Sequence, residues 1–125
     1  MILDTNALSA FADGVREVGA VLATQNRAAI PVIVLGEFRY GILGSRHRAE
    51  YERWLDGHLR HFDVLAVTAE TALSYASLRV TLKRLGRPIP ANDAWIAALA
   101  MQHDLPVLSR DEHFAALPEI RRITW

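Results

Sequence analysis

The chain has 125 residues, of which 51% are hydrophobic and 22% charged, and it contains no cysteine. These proportions are typical of one soluble globular domain, and the lack of thiols excludes disulfides, thiolate metal sites and cysteine nucleophiles. Fourteen basic residues balance 14 acidic ones, so the net charge gives no reason to expect a nucleic-acid partner. The longest apolar stretches, residues 28–35 and 94–101, are far shorter than the roughly 20 residues that cross a bilayer, and no basic signal-peptide segment precedes them. We therefore expect a single domain in the cytoplasm.

Short apolar runs alternate with amphipathic runs in the first half of the chain. Apolar residues at helical spacing predict helices, and short apolar runs bounded by polar residues predict strands. In chain order the predicted elements are strand 2–4, helix 7–12 with Asn6 as its cap, helix 15–24, strand 29–33, and a helix with Leu35, Phe38 and Ile42 on one face that ends near Gly44.

The second half of the chain continues this alternation. Its predicted elements are helix 49–59, strand 62–67, a helix capped by Thr68 with Tyr75, Leu78, Leu82 and Leu85 on one face and stopped by Gly86 and Pro88, helix 93–103, strand 107–109 and a final edge strand at 120–125. Helix 93–103 is apolar almost all round, so we expect it to be buried. Because parallel strands need helical crossovers, the pattern predicts an α/β fold with a mostly parallel sheet between helices.

Four acidic residues stand out by their positions. Asp4 ends the first strand, Asp111 follows the fourth, Asp93 starts the buried helix and Glu37 lies inside an otherwise apolar segment. Ligands of parallel sheets bind at the carboxyl ends of the strands, which favours a shared site for Asp4 and Asp111. Structural roles are the alternatives: a helix-capping role for Asp93, turn positions for Asp4 and Asp111, and an ion pair of Glu37 with Arg39.

If the four carboxylates converge, they require a compensating positive charge. Two unit charges about 4 Å apart repel by roughly 4 kcal/mol at an effective dielectric constant near 20. Hard oxygen ligands, with no cysteine and no necessary histidine, suit Mg²⁺ or Mn²⁺, which bind substrate phosphates. Such a site predicts hydrolysis of a phosphodiester by metal-activated water, without a nucleophile from the protein.

Four ordered motifs carry these acids: LDTN at 3–6, GEFRYG at 36–41, PAND at 90–93 with IAA at 96–98, and LSRD at 108–111 followed by Phe114. Each motif alone is a weak signal. In this order and at these separations they resemble the PIN domain, specifically the VapC-type toxins of toxin-antitoxin pairs. The resemblance spans nearly the whole chain, and it implies one PIN domain over residues 1–125 with a three-layer α/β/α fold and a short, mostly parallel central sheet.

The resemblance implies an Mg²⁺- or Mn²⁺-dependent endoribonuclease. Its catalytic and metal-binding set would be Asp4, Glu37, Asp93 and Asp111. Asp4 and Asp93 match the family motifs most closely and are expected to be direct ligands, whereas Glu37 and Asp111 are expected to bind directly or through waters. The resemblance further implies an RNA substrate, a homodimer and a VapB-type antitoxin whose C-terminal segment lies across the acidic groove.

Two residues are expected to support the acids. Asn6 is expected to orient Asp4, and Ser109 retains a hydroxyl where the family often has threonine. Setting the four acids aside leaves ten acidic against 14 basic residues, so the remaining surface is mildly basic. Candidate RNA-binding residues are Arg46, Arg48, Arg79, Lys83, Arg84 and Arg87. The alternative for both basic runs is an ordinary solvated surface.

Two other classes of protein compete with the nuclease. A catalytically inactive PIN-like domain that binds protein or RNA would carry the same acids without activity, and alanine at Asp4 would then change nothing. A phosphoaspartate enzyme would also place an aspartate at a strand end. Asn6 stands where a haloacid-dehalogenase-type motif has its second aspartate, which disfavours that class.

Overall fold

The computed structural model describes all residues from 1 to 125, and its centre is a five-stranded parallel sheet. The strands are β1 (Ile2–Leu3), β2 (Ala28–Pro31), β3 (Phe62–Leu65), β4 (Val107–Leu108) and β5 (Arg122–Ile123). Their order across the sheet is β3-β2-β1-β4-β5, and every neighbouring pair is parallel. The predicted α/β architecture is confirmed.

Six helices connect the strands. They are α1 (Thr5–Ala12), α2 (Arg16–Ala23), α3 (Val32–Leu43), α4 (Arg48–His58), α5 (Ala69–Leu85) and α6 (Ala91–His103), and two short 3-10 turns cover Leu59–His61 and Glu112–Ala116. Thr68 caps α5 through reciprocal hydrogen bonds with Thr71, and Gly86 ends it in the left-handed conformation. None of the helices is long and apolar enough to span a membrane.

The cap of α1 differs from the prediction. The strand ends at Leu3 and the chain enters the helix at Thr5, which leaves Asp4 in the extended conformation that a capping residue needs. The Oδ1 atom of Asp4 accepts a hydrogen bond of 2.7 Å from the Ala7 N–H. Asn6 is the second residue of the helix and is exposed, so the prediction that Asn6 caps this helix was wrong.

The core lies between the sheet and the helices. Helix α6 has a nearly continuous buried segment from 96 to 100, as its apolar composition predicted, and it packs closely against α5. The rings of Tyr75 on α5 and Trp95 on α6 stack with centroids 3.9 Å apart. Leu85, expected on the buried face of α5, is 46% exposed because it is the last residue before the chain turns at Gly86.

Candidate active site

The carboxyl edge of the sheet brings two of the predicted acids together. Strands β1 and β4 are parallel neighbours with Leu3 opposite Leu108, so Asp4 and Ser109 leave the sheet side by side. The Ser109 hydroxyl donates a hydrogen bond to Asp4 Oδ2, and Ser109 Oγ in turn accepts one of 2.9 Å from the Asp111 N–H. Buried Ser109 therefore joins the segments that carry Asp4 and Asp111.

A histidine connects the third acid to this pair. His113 Nδ1 lies 2.7 Å from Asp93 Oδ2 and 3.0 Å from Asp111 Oδ1. Asp93 lies in the first turn of α6, whereas His113 lies in the 3-10 turn that Asp111 caps by accepting a hydrogen bond of 2.9 Å from the His113 N–H. One donor atom from each of the three side chains lies within 4.8 Å of the other two.

His113 was not predicted as a site residue. The acidic motifs assigned the site to carboxylates alone, and a histidine was considered unnecessary for binding Mg²⁺ or Mn²⁺. The signal in the sequence is the Asp111-Glu112-His113 order directly after a buried strand. An acid that caps a tight turn brings the residue two positions later back toward itself, and this geometry places His113 beside Asp111.

The environment of Asp4 disfavours its negative charge. The residue is 4% exposed, and this burial is the largest cause of a pKa raised above the ordinary 3.8. Hydrogen bonds from Ser109 and Ala7 lower the pKa, while the charges of Asp93 and Asp111 raise it further. A cation at this edge of the sheet would relieve both the burial penalty and the repulsion.

This environment predicts how stability depends on pH in the absence of metal. Because the folded-state pKa of Asp4 is raised, the protonated carboxyl stabilises the fold, and this contribution is lost as the pH rises through the folded-state pKa. A tenfold difference in proton affinity between the folded and unfolded states corresponds to about 1.4 kcal/mol. In EDTA, the stability of Asp4→Asn relative to wild type should therefore increase as the pH rises above about 4. Parallel melting-temperature curves for the two proteins would contradict this prediction.

Glu37 is not part of the cluster of donor atoms that Asp93, Asp111 and His113 form. It faces a cleft of about 350 Å³ that Thr5 also lines, so this cleft borders the segment carrying Asp4. The side chain of Glu37 makes no ion pair within the chain, and the predicted partnership with Arg39 was wrong. Residues two positions apart on a helix point in different directions, and Arg39 is exposed on another side of α3.

The two predicted basic runs differ in how many of their cationic side chains form ion pairs. Arg79, Lys83 and Arg87 line a cleft of about 530 Å³ at the end of α5, and neither these residues nor the exposed Arg84 form an ion pair. In the other run Arg46 is exposed and Arg48 is paired with Glu52 at 3.0 Å. The α5 cleft therefore offers the larger group of unpaired cations.

Comparison with known proteins identifies the family. The family model of the PIN domain matches residues 1–120. The chain belongs to the PIN-domain family. It is 35% identical to ribonuclease VapC5 of Mycobacterium tuberculosis over 119 residues, which are 93% of this chain and 86% of the relative.

Solved structures support the same assignment for this PIN domain. The crystal structure of VapBC2 from Rickettsia felis bound to a promoter DNA fragment contains a chain with a TM-score of 0.85 and 26% identity, matching 99% of this chain and 97% of that one. The VapBC-5 toxin-antitoxin structure from Mycobacterium tuberculosis gives a TM-score of 0.79 and 33% identity, with coverages of 99% and 97%. The predicted PIN fold and the VapC-type resemblance are both confirmed.

Proposed function

We propose that this PIN domain is a metal-dependent endoribonuclease and the toxin of a VapBC-type pair. The observation that carries the proposal is the convergence of Asp4, Asp93 and Asp111 at the carboxyl edge of the sheet, with Asp4 buried and its pKa raised. Relatives named ribonuclease VapC, similar to this chain over 76% to 99% of its length, support this reaction.

The donor set fits Mg²⁺ or Mn²⁺. Three carboxylates in one mutually repelling group are costly without a cation, and these ions prefer oxygen ligands. Asp4 and Asp93 would hold the ion, with Asp111 and Glu37 binding it directly or through waters. When bound, the ion supplies an activated water and stabilises the charge that develops on the phosphate.

The residues of the chain position this site before substrate arrives. Ala7 and Ser109 each donate a hydrogen bond to one oxygen of Asp4, so the orientation of its carboxylate is fixed. The amino-terminal end of α6 stabilises the negative charge of Asp93. Such preorganisation avoids rearrangement during the reaction, which is where fixed polar groups contribute most to catalysis.

The remaining surface suits an RNA substrate and protein partners. The unpaired cations of the α5 cleft, together with Arg46, would neutralise backbone phosphates. Leu73 and Val80 lie seven residues apart on the same face of α5 and are 75% and 50% exposed, which leaves apolar area for a homodimer contact. Structural neighbours that are VapBC complexes support a VapB-type antitoxin as partner, and we propose a cytoplasmic location for the pair.

The test of the proposed function is cleavage of total cellular RNA by the purified protein, freed of antitoxin. We expect discrete fragments in Mg²⁺ or Mn²⁺ and none in EDTA, with cleavage restored when the ion is returned in excess. If the folded protein cuts no RNA across a range of RNAs and metals, the nuclease proposal fails. The inactive interaction domain would then be the better description.

A further inference from the structure

We infer that His113 is a nitrogen donor to the metal of the acidic site and shifts the preference of that site from Mg²⁺ toward Mn²⁺. This inference rests on the proposed metal-dependent function, and it adds a residue that the acidic motifs do not include. It concerns only Asp93, Asp111 and His113, whose donor atoms share one small volume.

The distances around His113 Nδ1 fit adjacent ligands of one ion. Two ligands on neighbouring corners of an octahedron with bonds of about 2.1 Å are about 3.0 Å apart. His113 Nδ1 lies 2.7 Å from Asp93 Oδ2 and 3.0 Å from Asp111 Oδ1. The same spacing suits hydrogen bonds from an Nδ1–H group, so a proton and a metal ion would compete for the same place.

The unbonded side of the imidazole favours metal binding at Nδ1. Nε2 has no hydrogen-bond partner within the chain, and the side chain is 42% exposed. The ring can therefore carry its proton on Nε2, in contact with solvent, which leaves the Nδ1 lone pair directed at two carboxylate oxygens. Three electron-rich atoms in this arrangement repel one another unless a cation lies among them.

The position of His113 is also fixed by its neighbours. Its backbone N–H donates a hydrogen bond to Asp111 Oδ1, and the next residue, Phe114, is completely buried in the core. These constraints distinguish His113 from a mobile surface histidine. The exposed His103, for comparison, lies ten residues beyond Asp93 at the far end of α6, about 15 Å along the helix.

A nitrogen donor changes which ion binds best. Mg²⁺ favours oxygen ligands and waters, whereas imidazole is a better ligand for first-row transition ions, of which Mn²⁺ is the one closest to Mg²⁺ in its other preferences. We therefore expect His113→Gln to weaken Mn²⁺ binding by about tenfold and Mg²⁺ binding by less than about threefold, as measured by calorimetry. Equal losses for the two ions would overturn the inferred preference.

The deciding experiment is pulsed electron paramagnetic resonance of the Mn²⁺-loaded protein. We expect ¹⁴N couplings from a directly bound imidazole in wild type, their loss in His113→Gln and their retention in the matched control His103→Gln. Labelling the wild-type histidines with ¹⁵N should convert the coupling to that of ¹⁵N, which tests the inference without relying on any variant to fold.

The outcomes separate this inference from the proposed function. Mn²⁺ that binds wild type without an imidazole coupling overturns the role of His113 and leaves the metal-dependent nuclease standing. Coupling that persists in His113→Gln also overturns it. Failure of wild type to bind any Mn²⁺ or Mg²⁺ contradicts the proposed function itself, and the inference falls with it.

Discussion

Asp93→Asn and Asp4→Asn should each lower the rate of RNA cleavage by about 1,000-fold or more, which corresponds to roughly 4 kcal/mol of transition-state stabilisation. Both substitutions replace a charged ligand by a neutral amide of nearly the same shape. The substitution removes a negative charge and replaces one carboxylate oxygen by an amide nitrogen that cannot bind the metal, so the remaining acids no longer hold the ion in the position that activates water. Initial rates on a defined RNA in saturating Mg²⁺ would measure the effect.

We do not expect misfolding to cause the loss of cleavage activity. Asparagine at position 4 keeps an oxygen that accepts the Ala7 N–H, so the cap of α1 survives, and the repulsion from Asp93 and Asp111 disappears. Asp104→Asn is the matched control, because Asp104 ends the same helix as Asp93 and has a positive φ of 51° that asparagine tolerates. If Asp4→Asn and Asp93→Asn cut RNA as fast as Asp104→Asn, the site is assigned to the wrong residues.

The sequence was sufficient to predict the sheet edge but not every side chain around it. Asp4 and Asp111 follow strands that pair in parallel, so a general rule for parallel sheets brings them together. The place of Glu37 depends on how α3 is rotated about its axis, which the apolar pattern of that helix hardly defines. Its cleft could therefore not be predicted from spacing alone.

Local turns account for the other differences between prediction and structure. Asn6 was a reasonable cap by residue type, but the abrupt change from β1 to α1 gave that position to Asp4. His113 shows no helical or strand periodicity because it lies in a 3-10 turn. The position of such a turn depends on which of the neighbouring side chains are buried. The residue that anchors this turn in the core is Phe114.

Phe114→Ala should lower the free energy of unfolding by about 3–5 kcal/mol. Phe114 is fully buried, and it is among the largest such side chains in the core, so truncation leaves a cavity that rigid neighbours fill only in part. Urea denaturation would measure the loss. Tyr40→Ala, at a position 82% exposed, is the control and should change stability by less than about 0.5 kcal/mol.

Phe114→Ala should also weaken metal binding in molecules that are still folded. In the turn holding Asp111 and His113, the backbone hydrogen bond from the Phe114 N–H to the Asp111 carbonyl is long, at 3.4 Å, so we expect the buried ring of Phe114 to contribute strongly to the position of the turn. At a temperature where the circular dichroism of Phe114→Ala is native, we expect Mn²⁺ affinity about tenfold below wild type. Unchanged affinity in the folded variant would show that Ser109 and the sheet edge position Asp111 without this anchor, since Ser109 Oγ also accepts the Asp111 N–H.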